Sequence, residues 1–203
     1  MIIISEIARP FAEIQMGELD EWRGKPEWPE LADSLAQRRF ETIRRFLPRQ
    51  CSRMMDIGGG VAVSDIPILN HYEPNVPEFW MLDGDEGRAI VEKHDHPFNS
   101  MAATAALLKE NGYRLSGFLT PTAARAADIG MFDLFVSFAA WGFHFAPEQY
   151  LGFVDRHCAT GARIILDLRK GKNEWRESIE RRFSFIGTAF RARKFDRLVY
   201  ERR

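Results

Sequence analysis

Two nearly continuous apolar runs, "FDLFVSFAAW" (132–141) and "ARIILDL" (162–168), most constrain what this chain can fold into. Strands apolar on both faces belong in a sheet covered on both sides, and such sheets are built from parallel strands. Between the runs, "APEQYLGFVDRHCATG" reads as a helix, with Pro147 near its start and Gly161 beyond its end. Strand, helix, strand in that order predicts a crossover in a parallel sheet.

The same alternation runs upstream. A short strand at 53–57 is followed by a helix at about 64–72, a proline-punctuated connection "YEPNVPE", and a second strand in "EFWMLDGD". Next come a helix in "NSMAATAALLKENG", capped by Asn99 or Ser100 and closed by Gly112, and a third strand in "YRLSGFLT". Before them, "PELADSLAQRRFETIRRFLP" spaces Leu31, Leu35, Phe40, Ile43 and Leu47 as a helix begun near Pro29 and stopped by Pro48. Residues 1–29 read as irregular.

The ending breaks the rhythm. After a polar helix in "NEWRESIERRF", two strand-like pieces in "IGTAFRAR" and "FDRLVYER" are separated by little more than Lys194, too short a link for a crossover, so they must pair antiparallel. The expected fold class is α/β: a doubly wound, mostly parallel seven-stranded sheet ending in an antiparallel C-terminal hairpin, with helices on both faces. A chain of 203 residues with 45% hydrophobic content suits one domain, 1–203, with an N-terminal helical extension over 1–49 and a core over 50–203.

Cys51 and Cys158 make no disulfide framework and no zinc spacing, which points to a reducing, cytoplasmic setting, and neither a targeting segment nor a membrane span is expected. The net charge of −1 argues against a uniformly basic nucleic-acid binder. It is unevenly spread: from Gly161 onward there are 13 Lys and Arg against 6 Asp and Glu. A solvated Arg-bearing face explains that surplus more simply than an anionic-ligand patch.

The chemistry centres on "MMDIGGGVAVSDIPIL" (54–69), in which Asp56 ends a strand, three glycines follow, and Ser64, Asp65 and Pro67 signal a helix start. A glycine turn between strand and helix lets backbone approach a ligand closely, with free amides at the helix start. The dinucleotide pattern G-x-G-x-x-G fails at Val63, and no lysine completes a phosphate loop. Asp56 would repel a pyrophosphate. An acid there suits a cationic ligand, and S-adenosylmethionine carries a sulfonium and an ammonium.

From about residue 50 to 203 the chain resembles the class I, Rossmann-like S-adenosylmethionine-dependent methyltransferases. Their loop pattern D/E-x-G-x-G-x-G is matched by "DIGGGVA" through Gly60 and departs at Ala62. The resemblance implies S-adenosyl-L-methionine as cofactor, Asp56 on its methionine part, and close approach by the amides around Gly58, Gly59 and Gly60. It implies Asp83, with Asp85 as rival, on the ribose hydroxyls, Ser137 near the cofactor, and adenine near Leu119 and Thr120, where the family's frequent acid is missing.

His144 follows the fourth strand at the edge where ligands bind in such sheets, and imidazole can accept a substrate proton near neutral pH, so His144 is the candidate base, against the alternative of a packed histidine. Trp141, Phe143 and Phe145 beside it read equally as core, lid or substrate platform. His94 and His96 alternate in a polar loop without a third ligand, so no metal site is expected; His71 and His157 receive no role. The fourth strand ends in "SFAAW", without the Asn/Asp-Pro-Pro-aromatic motif that grips a flipped base, which argues against nucleic acid and for a small-molecule or sugar acceptor of O-methylation. The alternative is a non-catalytic module on the same fold. Trp22 and Trp28 suggest that residues 1–29 form a lid over the carboxyl edge.

Overall fold

The computed structural model describes residues 1–16, 21–84 and 100–203. Seven strands form one sheet: β1 (Arg53–Ile57), β2 (Glu78–Leu82), β3 (Leu115–Leu119), β4 (Phe132–Ser137), β5 (Cys158–Arg169), β6 (Ser184–Arg191) and β7 (Phe195–Glu201). Their order is β3-β2-β1-β4-β5-β7-β6. The first five are parallel, and β7 runs antiparallel to both β5 and β6, as the short link at 192–194 requires.

Residue alternation along the strands sorts the helices onto two faces. Met54, Val136, Ile165 and Val199 point to a cluster shared with α1 (Arg9–Gln15), α2 (Trp28–Ile43), α3 (Ile66–His71) and α4 (Met101–Glu110). Met55, Phe135, Ile164, Leu198 and Tyr200 point the other way, to α5 (Pro121–Ala124), α6 (Glu148–His157) and α7 (Asn173–Glu180). The doubly wound α/β architecture with both faces covered is therefore the one expected.

Two local readings need correction, and one open choice is settled. Residues 1–29 are not irregular throughout: Pro10 presets the first turn of α1, and Ala8, Ala12 and Met16, four residues apart, are fully buried. Trp28 opens α2 and is fully buried. Cys158 to Gly161 belong to β5, not to the end of α6, because Cys158 pairs with Phe132 and the N–H of Gly161 reaches the Arg202 carbonyl at 2.9 Å. Ser100 is the α4 cap, its hydroxyl accepting from the Ala103 N–H at 3.2 Å. Asn99, Asp85, His94 and His96 lie outside the described residues.

The chain leaves β1 toward β2 and β3 on one side, and returns to place β4 on the other. The carboxyl ends of β1 and β4 thus form the switch point at which open α/β sheets bind ligands. The glycine loop lies there.

Candidate cofactor site at the glycine loop

Asp56 is 2% exposed, and its carboxylate lies directly beneath the loop it precedes. A Cβ on Gly59 would sit 2.1 Å from Asp56 Oδ2, so only glycine lets the backbone pass over this acid. A Cβ on Gly58 would meet that of Ala140 at 2.2 Å, which shows how tightly the loop after β4 presses on the glycine loop. Ala62, where the methyltransferase pattern has its last glycine, holds φ +63°, so the alanine adopts the left-handed conformation glycine prefers.

Asp83 follows β2, half-buried, and accepts the Gly60 N–H at 2.7 Å and the Gly84 N–H at 2.7 Å. It and Asp56 therefore flank one loop. Burial, and then the neighbouring charge of Asp65, hold the Asp56 carboxyl well above the usual carboxylate range. Asp56 Oδ1 meets no donor among the described residues.

Ser137 is fully buried at the end of β4. Its hydroxyl donates to the Ile57 carbonyl at 2.7 Å and accepts the Trp141 N–H at 2.9 Å, so it ties the end of β1 to the loop after β4. Trp141 is buried, its indole N–H on the Pro147 carbonyl at 2.9 Å, whereas Phe145 is exposed against Tyr150. His144 is exposed in the same loop, packed edge-on against Phe143 with ring centroids 4.8 Å apart. Partial desolvation, and then the Arg169 guanidinium, lower its pKa below the ordinary value and keep the ring neutral at pH 7.

Solved structures share this architecture at low identity. The chain superposes on a ribosomal protein L11 methylase from Lactobacillus delbrueckii subsp. bulgaricus with a TM-score of 0.58 and 18% identity, over 85% of this chain and 79% of that one. On the O-methyltransferase TomG of Streptomyces achromogenes, involved in tomaymycin synthesis and solved with its cofactor, the values are 0.52, 13%, 100% and 91%. On the Thermus thermophilus 16S rRNA N2 G1207 methyltransferase RsmC, solved with AdoMet and guanosine, they are 0.57, 16%, 85% and 43%. The fold is that of the class I methyltransferases. No family model matches the sequence, and no curated protein does. Because these neighbours are named for a protein, a small-molecule pathway and an rRNA, the methyltransferase fold does not fix the acceptor, and it gives no support to the exclusion of nucleic acid drawn from the missing aromatic motif.

Two residues at the site went unread in the sequence. Asp65 sits at the N-cap position of α3, as its helix-start signal predicts, but makes no capping bond; its carboxyl turns inward against Asp56. Gln15, the last residue of α1, donates to the Gly59 carbonyl and accepts the Val61 N–H at 3.2 Å. Nothing in "AEIQM" marks that glutamine, because its partner is 44 residues away. No group of three or more His, Cys, Asp or Glu among the described residues could hold a metal ion, Cys51 and Cys158 are free and buried, and no described helix is long and apolar enough to cross a membrane.

Proposed function

We propose that the chain is an S-adenosyl-L-methionine-dependent methyltransferase acting on an oxygen of a small molecule or sugar, in a cytoplasmic setting. The observation that carries this reading is the buried acid under the glycine loop. Desolvating a carboxylate without a partner costs several kcal/mol, and Asp56 Oδ1 has no partner among the described residues, so the site suits a cation. The second acid, Asp83, is placed across the loop for a pair of hydroxyls.

In this reading Asp56 would hold the methionine end and Asp83 the ribose, with Gly58, Gly59 and Gly60 permitting close approach. When bound, the cofactor supplies an electrophilic methyl on sulfonium. The chain's own contribution is to align the acceptor and take its proton. Ser137 fixes the loop after β4 against β1, and His144, kept neutral, accepts the hydroxyl proton at a ring nitrogen.

One observation favours a non-catalytic module instead: Gln15 already satisfies the Gly59 carbonyl and the Val61 N–H. Calorimetric titration separates the two. Binding of S-adenosylmethionine and its demethylated product at about micromolar Kd supports the enzyme, and absence of heat with both ligands supports the module.

A further inference from the structure

Asp65 is fully buried, and neither of its carboxylate oxygens meets a donor among the described residues. Its carboxyl faces that of Asp56, whose Oδ1 is equally unpartnered. Two buried acids in contact, with three oxygens unsatisfied, form an arrangement that water or a protein cation would normally resolve. Among the described residues, the surrounding groups do not resolve it. Asp83, at the end of β2, adds negative charge; Arg39 of α2 donates to the Ser64 hydroxyl at 2.9 Å; Gln15 of α1 and Thr104 of α4 bond the loop backbone.

Building on the cofactor reading above, we infer that Asp65 is a second acid of that site, and that Asp56 and Asp65 together receive one cationic group, the α-ammonium of the methionine end. A single acid would suffice to bias a site toward a cation. A pair in contact does more, because like charges at this separation cannot both ionise without a cation between them, so the empty site keeps a proton. Burial pushes Asp65 up to about 7, while its contact with Asp56 works in the opposite direction. Entry of the ammonium then expels the shared proton to solvent. Affinity for the ammonium-bearing ligand therefore rises as pH increases through about 7.

The test uses the full chain and two ligands: S-adenosylhomocysteine, which carries the ammonium, and 5′-methylthioadenosine, which lacks the whole amino-acid end. Asp65→Asn should weaken the first by more than tenfold, about 1.4 kcal/mol or more, and leave the second within about twofold. Calorimetry of the unmutated protein near pH 7, in buffers of different ionisation enthalpy, should show proton release with the first ligand and none with the second. Equal losses for both ligands, or no loss for either, overturn the inference while leaving the cofactor reading intact. Should the variant not fold, absence of proton release in the unmutated protein overturns it alone. If the unmutated protein binds neither ligand, the proposed function falls and takes this inference with it.

Discussion

Asp56, near the carboxyl end of β1, and Asp167, near that of β5, are buried alike, at 2% and 1% exposure. Their surroundings treat them in opposite ways. Asp167 is gripped by Arg197 from β7, Nε to Oδ1 at 2.7 Å and Nη2 to Oδ2 at 3.0 Å, and also accepts the Ala139 N–H at 3.1 Å. Arg197, itself 3% exposed, bonds the Thr42 hydroxyl at 3.0 Å and stacks 4.4 Å from the Phe138 ring. Asp56 has an acid for a neighbour and an unpartnered oxygen. The contrast separates structure from function within one sheet edge. A buried acid whose partners come from the fold holds the fold together; under the cofactor proposal, one left without a partner among the described residues is kept for a ligand.

The comparison yields variants in descending order of effect. Arg197→Met strands Asp167 and should cost about 3–5 kcal/mol in chemical denaturation, since removing one partner leaves an uncompensated buried charge. A loss below about 1 kcal/mol would make Asp167 as independent of its partner as Asp56 and erase the distinction.

His144→Asn tests the acceptor side. With an acceptor in hand, it should lower kcat by roughly 10²-fold and spare cofactor affinity. The parent's rate should fall as pH drops through the histidine's lowered pKa, because only the neutral ring accepts a proton. A variant within about threefold of the parent across roughly pH 6 to 9 removes the base from the account.

Asp83→Ala should weaken S-adenosylmethionine by more than tenfold, about 1.4 kcal/mol, and cost about 1–3 kcal/mol of stability, because the buried Gly60 N–H loses its acceptor. Equal affinity in variant and parent would move the ribose contact elsewhere. Ala62→Gly is the smallest change: relieving an alanine at φ +63° should raise stability by about 1 kcal/mol, and a loss would show that the methyl's burial outweighs the strain.

Asp65→Asn also sharpens the comparison from the stability side. A carboxyl raised in the folded state is protonated there while still ionised in the unfolded chain, so its contribution to stability is greatest at low pH and is lost as pH rises to about 7. The melting temperature of the variant should therefore gain on that of the parent as pH increases, then hold level. An unchanging difference between pH 5 and 8 contradicts a titrating pair.

How far the sequence could be read follows from which interactions are local. Strand and helix periods and the short link at 192–194 announce the alternating strands and helices and the antiparallel end of the sheet, because each depends on neighbours in the chain. Asp56 and the glycines are legible for the same reason. Asp65 reads from sequence as a helix start, but its inward turn does not, since an N-cap acid ordinarily bonds its own helix. Gln15 and the Asp167 and Arg197 pair join segments 44 and 30 residues apart, and no short pattern encodes them. Trp28 is fully buried, and the N-terminal segment reaches the glycine loop through Gln15, so a lid role for residues 1–29 stays a proposal.

The central claim is that the orphaned acid beneath the glycine loop is held for a cationic cofactor. Parallel titration of S-adenosylmethionine into the unmutated protein and Asp56→Ala, with thermal melts of both, tests it most directly. The account predicts binding by the parent, a loss of more than tenfold, about 1.4 kcal/mol or more, in the variant, and a melting temperature that holds or rises because a buried acid without a partner among the described residues has been removed. Unchanged affinity in a folded Asp56→Ala, or a collapse of its melt like that expected of Arg197→Met, would contradict it.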